Sequence, residues 1–227
     1  MEMLVVDGLL RYLHLLAGIT WLGFLYYFNF VQTPFFGTEL GGGARSAMTR
    51  GLVPNALWWF RWGAMITFIT GLMIFLYKLM SGGASSVYLL SILTGMVFGT
   101  IMWANVWFVI WPRQKMAIAS AESVAAGGEA NPEAAAQAPL AARASRINTA
   151  FSIVLLWYML AAGNSAVMGG AALTPPAIVV IAAIAVLVEI NIWTKTPIQG
   201  VLGSVQNTLI LGFGLLVLTL ITNSALG

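Results

Sequence analysis

Arg11, His14, Gly18, Trp21, Leu25 and Asn29 recur every three or four residues inside one apolar stretch, so on a helix they form a single polar and aromatic stripe. His14 is the only histidine of the chain. An ionisable side chain is costly in lipid and turns toward protein or a water-filled cavity, so the stripe is expected to face the inside of a bundle. Four chemistries are open to a histidine placed there: axial ligation of haem, ligation of another metal, proton transfer, or a hydrogen bond between helices. Without a second histidine, bis-histidine haem ligation within the chain is excluded. Haem would take His14 alone, or His14 with one of 11 methionines or with a ligand from another subunit. No carboxylate stands at ligand spacing beside His14, so no metal is expected beyond a haem iron.

A second set of polar residues falls at the other ends of the apolar stretches. Asn29, Arg61, Asn105, Glu189 and Asn191 are expected at similar depth, as a buried polar layer, whereas Arg11, His14 and Asn164 lie toward the opposite side. The layer holds one acid and one base, and a Glu189 to Arg61 ion pair would let both charges sit between helices, either as a clamp or as part of a proton or substrate path. Trp58, Trp59 and Trp62, with Trp103, Trp107 and Trp111, read as interfacial anchors that bury a ring and keep the indole N–H near water. Gly95 and Gly99 form a GxxxG step suited to close helix approach. Gly41 to Gly43 lack the strand and the GKS pattern of a phosphate loop, and neither a nucleophile triad nor a nucleic-acid surface is present.

The elements that must position these residues follow from composition. Of 227 residues 60% are hydrophobic and 7% charged, against about 25% charged in an ordinary soluble domain. Apolar stretches of about 20 residues, the length that crosses the hydrocarbon core, occur at roughly 9–31, 56–80, 87–111, 147–168, 176–193 and 201–221. The expected fold is an all-α bundle of about six transmembrane helices, one polytopic domain over 1–227. Met1 to Asp7 lack the basic head of a cleavable signal, so the first span is expected to remain in the mature chain. Absence of cysteine excludes disulfides, iron–sulfur clusters and covalent c-type haem attachment. Arg45, Arg50, Arg113, Lys115, Arg143, Arg146 and Lys195 follow spans one, three and five, while Lys78 and Arg11 stand on the other side. The positive-inside rule then places both termini outside, in a bacterial inner membrane. The alanine- and glycine-rich segment 117–143 reads as a mobile cytoplasmic linker.

The strings LLRYLHLLAGITWLGFLYYFNFVQ (Leu9 to Gln32) and LVPNALWWFRWGAMITFITGLMIF (Leu52 to Phe75) resemble the membrane domain of the urate hydroxylase family, the urate oxidase N-terminal domain type. The resemblance covers most of the chain and is sharpest over these two spans. It implies an oxidoreductase that converts urate to 5-hydroxyisourate and passes electrons toward the respiratory chain. More loosely, a basic residue, then LH, then tryptophan and glycine is similar to the first helix of copper-resistance D-type proteins and of haem-dependent membrane protoporphyrinogen oxidases. That likeness implies b-type haem at His14, with Arg11 able to pair with a propionate and Trp21 beside the site. Family members of full architecture carry a c-type cytochrome domain, and residues 1–227 hold no CxxCH motif. A membrane redox subunit served by a separate cytochrome is therefore expected. Two further readings stand beside it: a non-catalytic integral subunit of a larger respiratory or photosynthetic complex, and a small transporter or channel using the polar layer.

Overall fold

The computed structural model describes residues 2–169, 174–194 and 196–226, and Lys195, used above for orientation, lies outside them. The described residues are helical: α1 (Glu2–Tyr26), a π-helical segment (Tyr27–Gln32), α2 (Thr33–Phe36), α3 (Glu39–Met80), α4 (Ser86–Ala104), a second π segment (Asn105–Ile110), α5 (Trp111–Ala125), α6 (Pro132–Gly163), α7 (Pro175–Glu189), α8 (Pro197–Val201) and α9 (Val205–Leu226). Helix starts are set by side chains that take up free backbone N–H groups. Thr38 accepts from Gly41 at 3.1 Å, Ser85 from Tyr88 at 3.2 Å and Asn131 from Glu133 at 2.9 Å. Six helical rods among the described residues are long and apolar enough to cross a membrane: Val5–Phe36, Glu39–Met80, Ser86–Ala125, Pro132–Gly163, Pro175–Ile192 and Val205–Leu226. The chain is thus an all-α multi-pass membrane protein of the expected span count.

One rod is unlike the rest. In α6, 56% of the most apolar window is buried inside the protein, against 17–33% in the others. It touches α1, α4, α5, α7 and α9, and Ile147, Asn148, Thr149, Ala150, Phe151 and Ser152 are buried in unbroken succession. Its remaining apolar exposure is narrow, at Leu156 and Leu160, so most of its surface meets other helices and little meets lipid. Small residues let its neighbours come close. A Cβ built on Gly212 of α9 would stand 2.8 Å from the Ala150 carbonyl oxygen of α6, and one on Gly95 of α4 would meet the Met159 side chain. The GxxxG step at Gly95 and Gly99 therefore faces α6. The α1–α3 pair is built the same way, with Gly63, Thr67 and Gly71 of α3 meeting Ala17, Gly18, Trp21 and His14 of α1.

The segment 117–143, read from sequence as a linker, is helix on both sides of a connection at 126–131. α5 packs on α3 and α6, and Ala134 and Ala141 are buried. Alanine has the highest helix propensity, and it lets two helices lie close where bulk would separate them. The structural expectation for this stretch is corrected accordingly.

The two glycines of α9 give a test of this packing. Nothing lies within 4 Å of a Cβ on Gly214, whereas Gly212 meets backbone. Gly212→Leu should cost about 1–3 kcal/mol through overpacking, and Gly214→Leu should leave the thermal midpoint of the detergent-purified protein near that of the wild type.

Candidate functional site

Two groups of polar residues are built into the bundle. The first surrounds α6 at the level of the π segments. Asn105 Nδ2 donates to Asn148 Oδ1 at 2.8 Å and to Glu189 Oε2 at 3.1 Å. Asn148 Nδ2 in turn donates to the Met102 carbonyl at 3.0 Å. Toward α1, Asn29 Nδ2 donates to Ser145 Oγ of α6 at 2.8 Å and to the Leu25 carbonyl of its own helix at 2.9 Å. Two turns further along α6, Tyr26 and Ser152 are 2.8 Å apart. Because Ser152 gives its own proton to the Thr149 carbonyl at 2.7 Å, Tyr26 is the donor in that pair. Asn29 and Asn105 each lie in a π segment. A π turn inserts a residue into the ladder, re-aims the side chains beside it, and is frequent at functional positions.

The expected layer is thus only partly one cluster. Asn29, Asn105 and Glu189 are brought against α6, and Asn29 and Asn105 are almost wholly buried. Asn191 is also buried, but its amide donates to Leu187 and Val188 carbonyls of its own helix at 2.8 and 3.0 Å. Asn148, Ser145 and Ser152 were missed by the sequence reading, although their spacing of three and four residues along one span marks a polar stripe.

The expected Arg61–Glu189 ion pair is not formed. α4 and its π segment touch both α3 and α7 and lie between them, so the two charges turn to different partners. Glu189 accepts from Asn105. The Arg61 guanidinium carbon lies 3.8 Å from the Trp111 ring centroid and 5.6 Å from that of Trp107. A similar place along the sequence of two spans does not make their helices neighbours.

The second group lies nearer the terminal end, between α1 and α3. His14 Nδ1 is 3.1 Å from Thr70 Oγ1. The Thr70 hydroxyl lies 2.6 Å from the Ile66 carbonyl and 3.2 Å from that of Thr67, so its single proton is already given to backbone. By this network Nδ1 carries the imidazole proton and donates to Thr70, which leaves the Nε2 lone pair for a ligand. Gly71 seats the ring, since a Cβ there would stand 2.9 Å from His14 Cε1. An imidazole held this way has one oriented nitrogen, an outer-shell partner that fixes its tautomer, and a seat that glycine leaves open. Arg11 is an exposed residue whose Nε pairs with Asp7 at 2.9 Å. Trp21 is buried against the α3 backbone at Gly63, two turns deeper than His14. Among the described residues no group of three or more His, Asp or Glu side chains is placed to hold a metal ion.

Two substitution sets separate these arrangements. Loss of Asn148 to leucine removes two helix-to-helix bonds and should cost about 1–2 kcal/mol, more than Asn191→Leu, whose bonds stay within one helix. In a double-mutant cycle of Arg61→Leu and Glu189→Leu, stability losses should add to within about 0.5 kcal/mol, because the two groups share no partner.

Among known families, the model of the urate oxidase N-terminal family matches residues 84–223. That range runs from the start of α4 through most of α9 and includes Asn105, Asn148, Glu189 and Asn191. Leu9 to Gln32 and Leu52 to Phe75, which carried the sequence resemblance, lie before it, as do His14 and Arg61. No curated protein and no solved structure matches the chain. The match takes in more than half of the 227 residues, and the chain belongs to the urate oxidase N-terminal family.

Proposed function

We propose that the chain is the membrane redox subunit of a urate hydroxylase system and passes electrons to a separate cytochrome. Urate and water yield 5-hydroxyisourate with release of two protons and two electrons, so the reaction needs an electron acceptor, and a haem protein partner supplies one. The observation that carries the reading is the His14 site, where a lone imidazole is fixed by Thr70 and seated on Gly71 with Nε2 left over. Membership of the family supports the same reading. A b-type haem held by His14 would supply one-electron transfer within the bilayer. Thr70 would hold the ring in one tautomer, and Arg11, one turn before His14 and paired with Asp7, would turn its guanidinium fork toward a propionate. In this reading both termini face the periplasm, and the basic connections face the cytoplasm of a bacterium.

The accessory-subunit reading is favoured by one observation. The amides around α6 are spent on bonds between helices, as in a structural clamp. Optical spectra separate the two. Dithionite-reduced minus oxidised spectra of the purified protein should show a b-type Soret band, and His14→Ala should lose it while still inserting. Thr70→Val should weaken haem retention about 10-fold or more, as loss of an outer-shell partner does. A wild type without Soret absorption and without extractable haem would leave the accessory subunit. Reporter fusions after Leu226 should read as periplasmic, and a cytoplasmic readout would invert the topology.

A further inference from the structure

Arg61 is left without an acid. The one ion pair among the described residues is Arg11 with Asp7, and Glu189 is taken by Asn105. Two other arginines of that end have polar partners. Arg113 donates to Gln137 and to the Val109 carbonyl, both at 3.0 Å, and Arg143 donates to the Ile192 carbonyl at 2.8 Å. Arg61 has only rings. Its guanidinium lies 3.8 Å from the Trp111 centroid, and its Nε is buried with no acceptor. Trp62 meets Trp107 edge to face at 5.7 Å, and Trp58 meets Trp62 at 6.4 Å. Trp58, Trp59 and Trp62 are all exposed, so this cationic and aromatic surface lies on the perimeter of the bundle.

Depth says what medium that perimeter meets. Arg61 is 19 residues from Met80, the far end of α3, hence about 29 Å along the axis at 1.5 Å per residue. That is about the thickness of the hydrocarbon core. Trp111 is 25 residues from Ser86, about 38 Å, so it reaches into the headgroup zone on the same side. The stacked guanidinium thus stands where lipid phosphates lie, at the end of the bundle that carries the basic connections. Stacking on indole holds the fork in one orientation while its outer N–H groups remain free to bind, and a phosphodiester accepts from such a fork bidentately. We propose that Arg61, with Trp111 as its platform and Trp107 and Trp62 beside it, binds the phosphate of an anionic phospholipid on that leaflet.

The test is native mass spectrometry of the full chain titrated with phosphatidylglycerol or phosphatidylcholine of matched acyl chains. Wild type should retain phosphatidylglycerol about fivefold more tightly, the factor one basic residue supplies at an anionic surface. Arg61→Gln should abolish the preference, and Arg61→Lys, which keeps the charge without the planar fork, should keep part of it. Arg50→Gln, a change at an exposed basic residue of the same helix, should leave it intact. Should Arg61→Gln fail to fold, Trp111→Leu and the thermal midpoint of wild type in each lipid carry the same comparison. Equal retention of the two lipids by wild type would overturn the assignment. So would a preference that survives Arg61→Gln, or one lost equally in Arg50→Gln. A dimer that dissociates on Arg61→Gln, with no lipid preference in wild type, would instead give the site to an acidic residue of a second copy.

Discussion

Where a helix packs against five others in a bilayer, the polar groups it buries have neither water nor lipid beside them, and a neighbour must supply their hydrogen bonds. α6 is such a helix from Ile147 to Ser152, while Leu156 and Leu160 face outward. In water the unfolded amide of Asn148 would lose good hydrogen bonds on burial, and in hydrocarbon it would have none, so the cost of leaving it unmatched falls on whichever helices pack there. α4 supplies Asn105 and the Met102 carbonyl, and α1 with its π extension supplies Asn29 and Tyr26. Apolar contacts permit many rotations of one rod against another, because lipid tails are as apolar as leucine. The amide and hydroxyl bonds pick out one rotation for each pair. Register in this bundle is fixed from its centre outward.

The two π segments belong to the same constraint. In a regular α-helix the side chain of each residue is rotated about 100° from the last, and a polar group needed at one azimuth can fall short of it. An inserted residue corrects the angle at the expense of local ladder geometry. Asn29 and Asn105 sit in such insertions on two different helices, both directed at α6. The backbone has been adjusted to the side chains here, which marks these amides as fixed points of the fold.

Span number and helical class were legible in the sequence because hydrophobic length is a one-dimensional property, and the bilayer admits few structures. Polar residues at span ends were legible for the same reason, and of these Asn105 and Glu189 share a hydrogen bond while Asn29 bonds Ser145. Azimuth was not. Arg61 is held at Trp107 and Trp111 and Glu189 at Asn105, a relation that depends on which rods are neighbours. Asn148 was overlooked because it opens its span, where a polar residue reads as a boundary; the recurrence of Ser145, Asn148, Thr149 and Ser152 on one face was the available signal. Alanine content at 117–143 suggested solvated chain, yet it also suits close-packed helices, and packing of α5 against α3 and α6 decided between them.

The long rods make the two faces of the membrane unequal in access. Ser86 to Ala125 is 40 residues of continuous helix, about 60 Å against a hydrocarbon core of about 30 Å. Roughly half of that rod stands clear of the apolar layer, with the first part of α6 packed beside it. On the opposite face, α3 and α4 are joined by only Ser81 to Ser85. A water-soluble macromolecule arriving from the side of the helical mast is held off the bilayer by the mast itself, whereas one arriving from the other side can lie nearly flush with the lipid surface at the α3–α4 turn. His14 lies in the half of α1 nearer that open face.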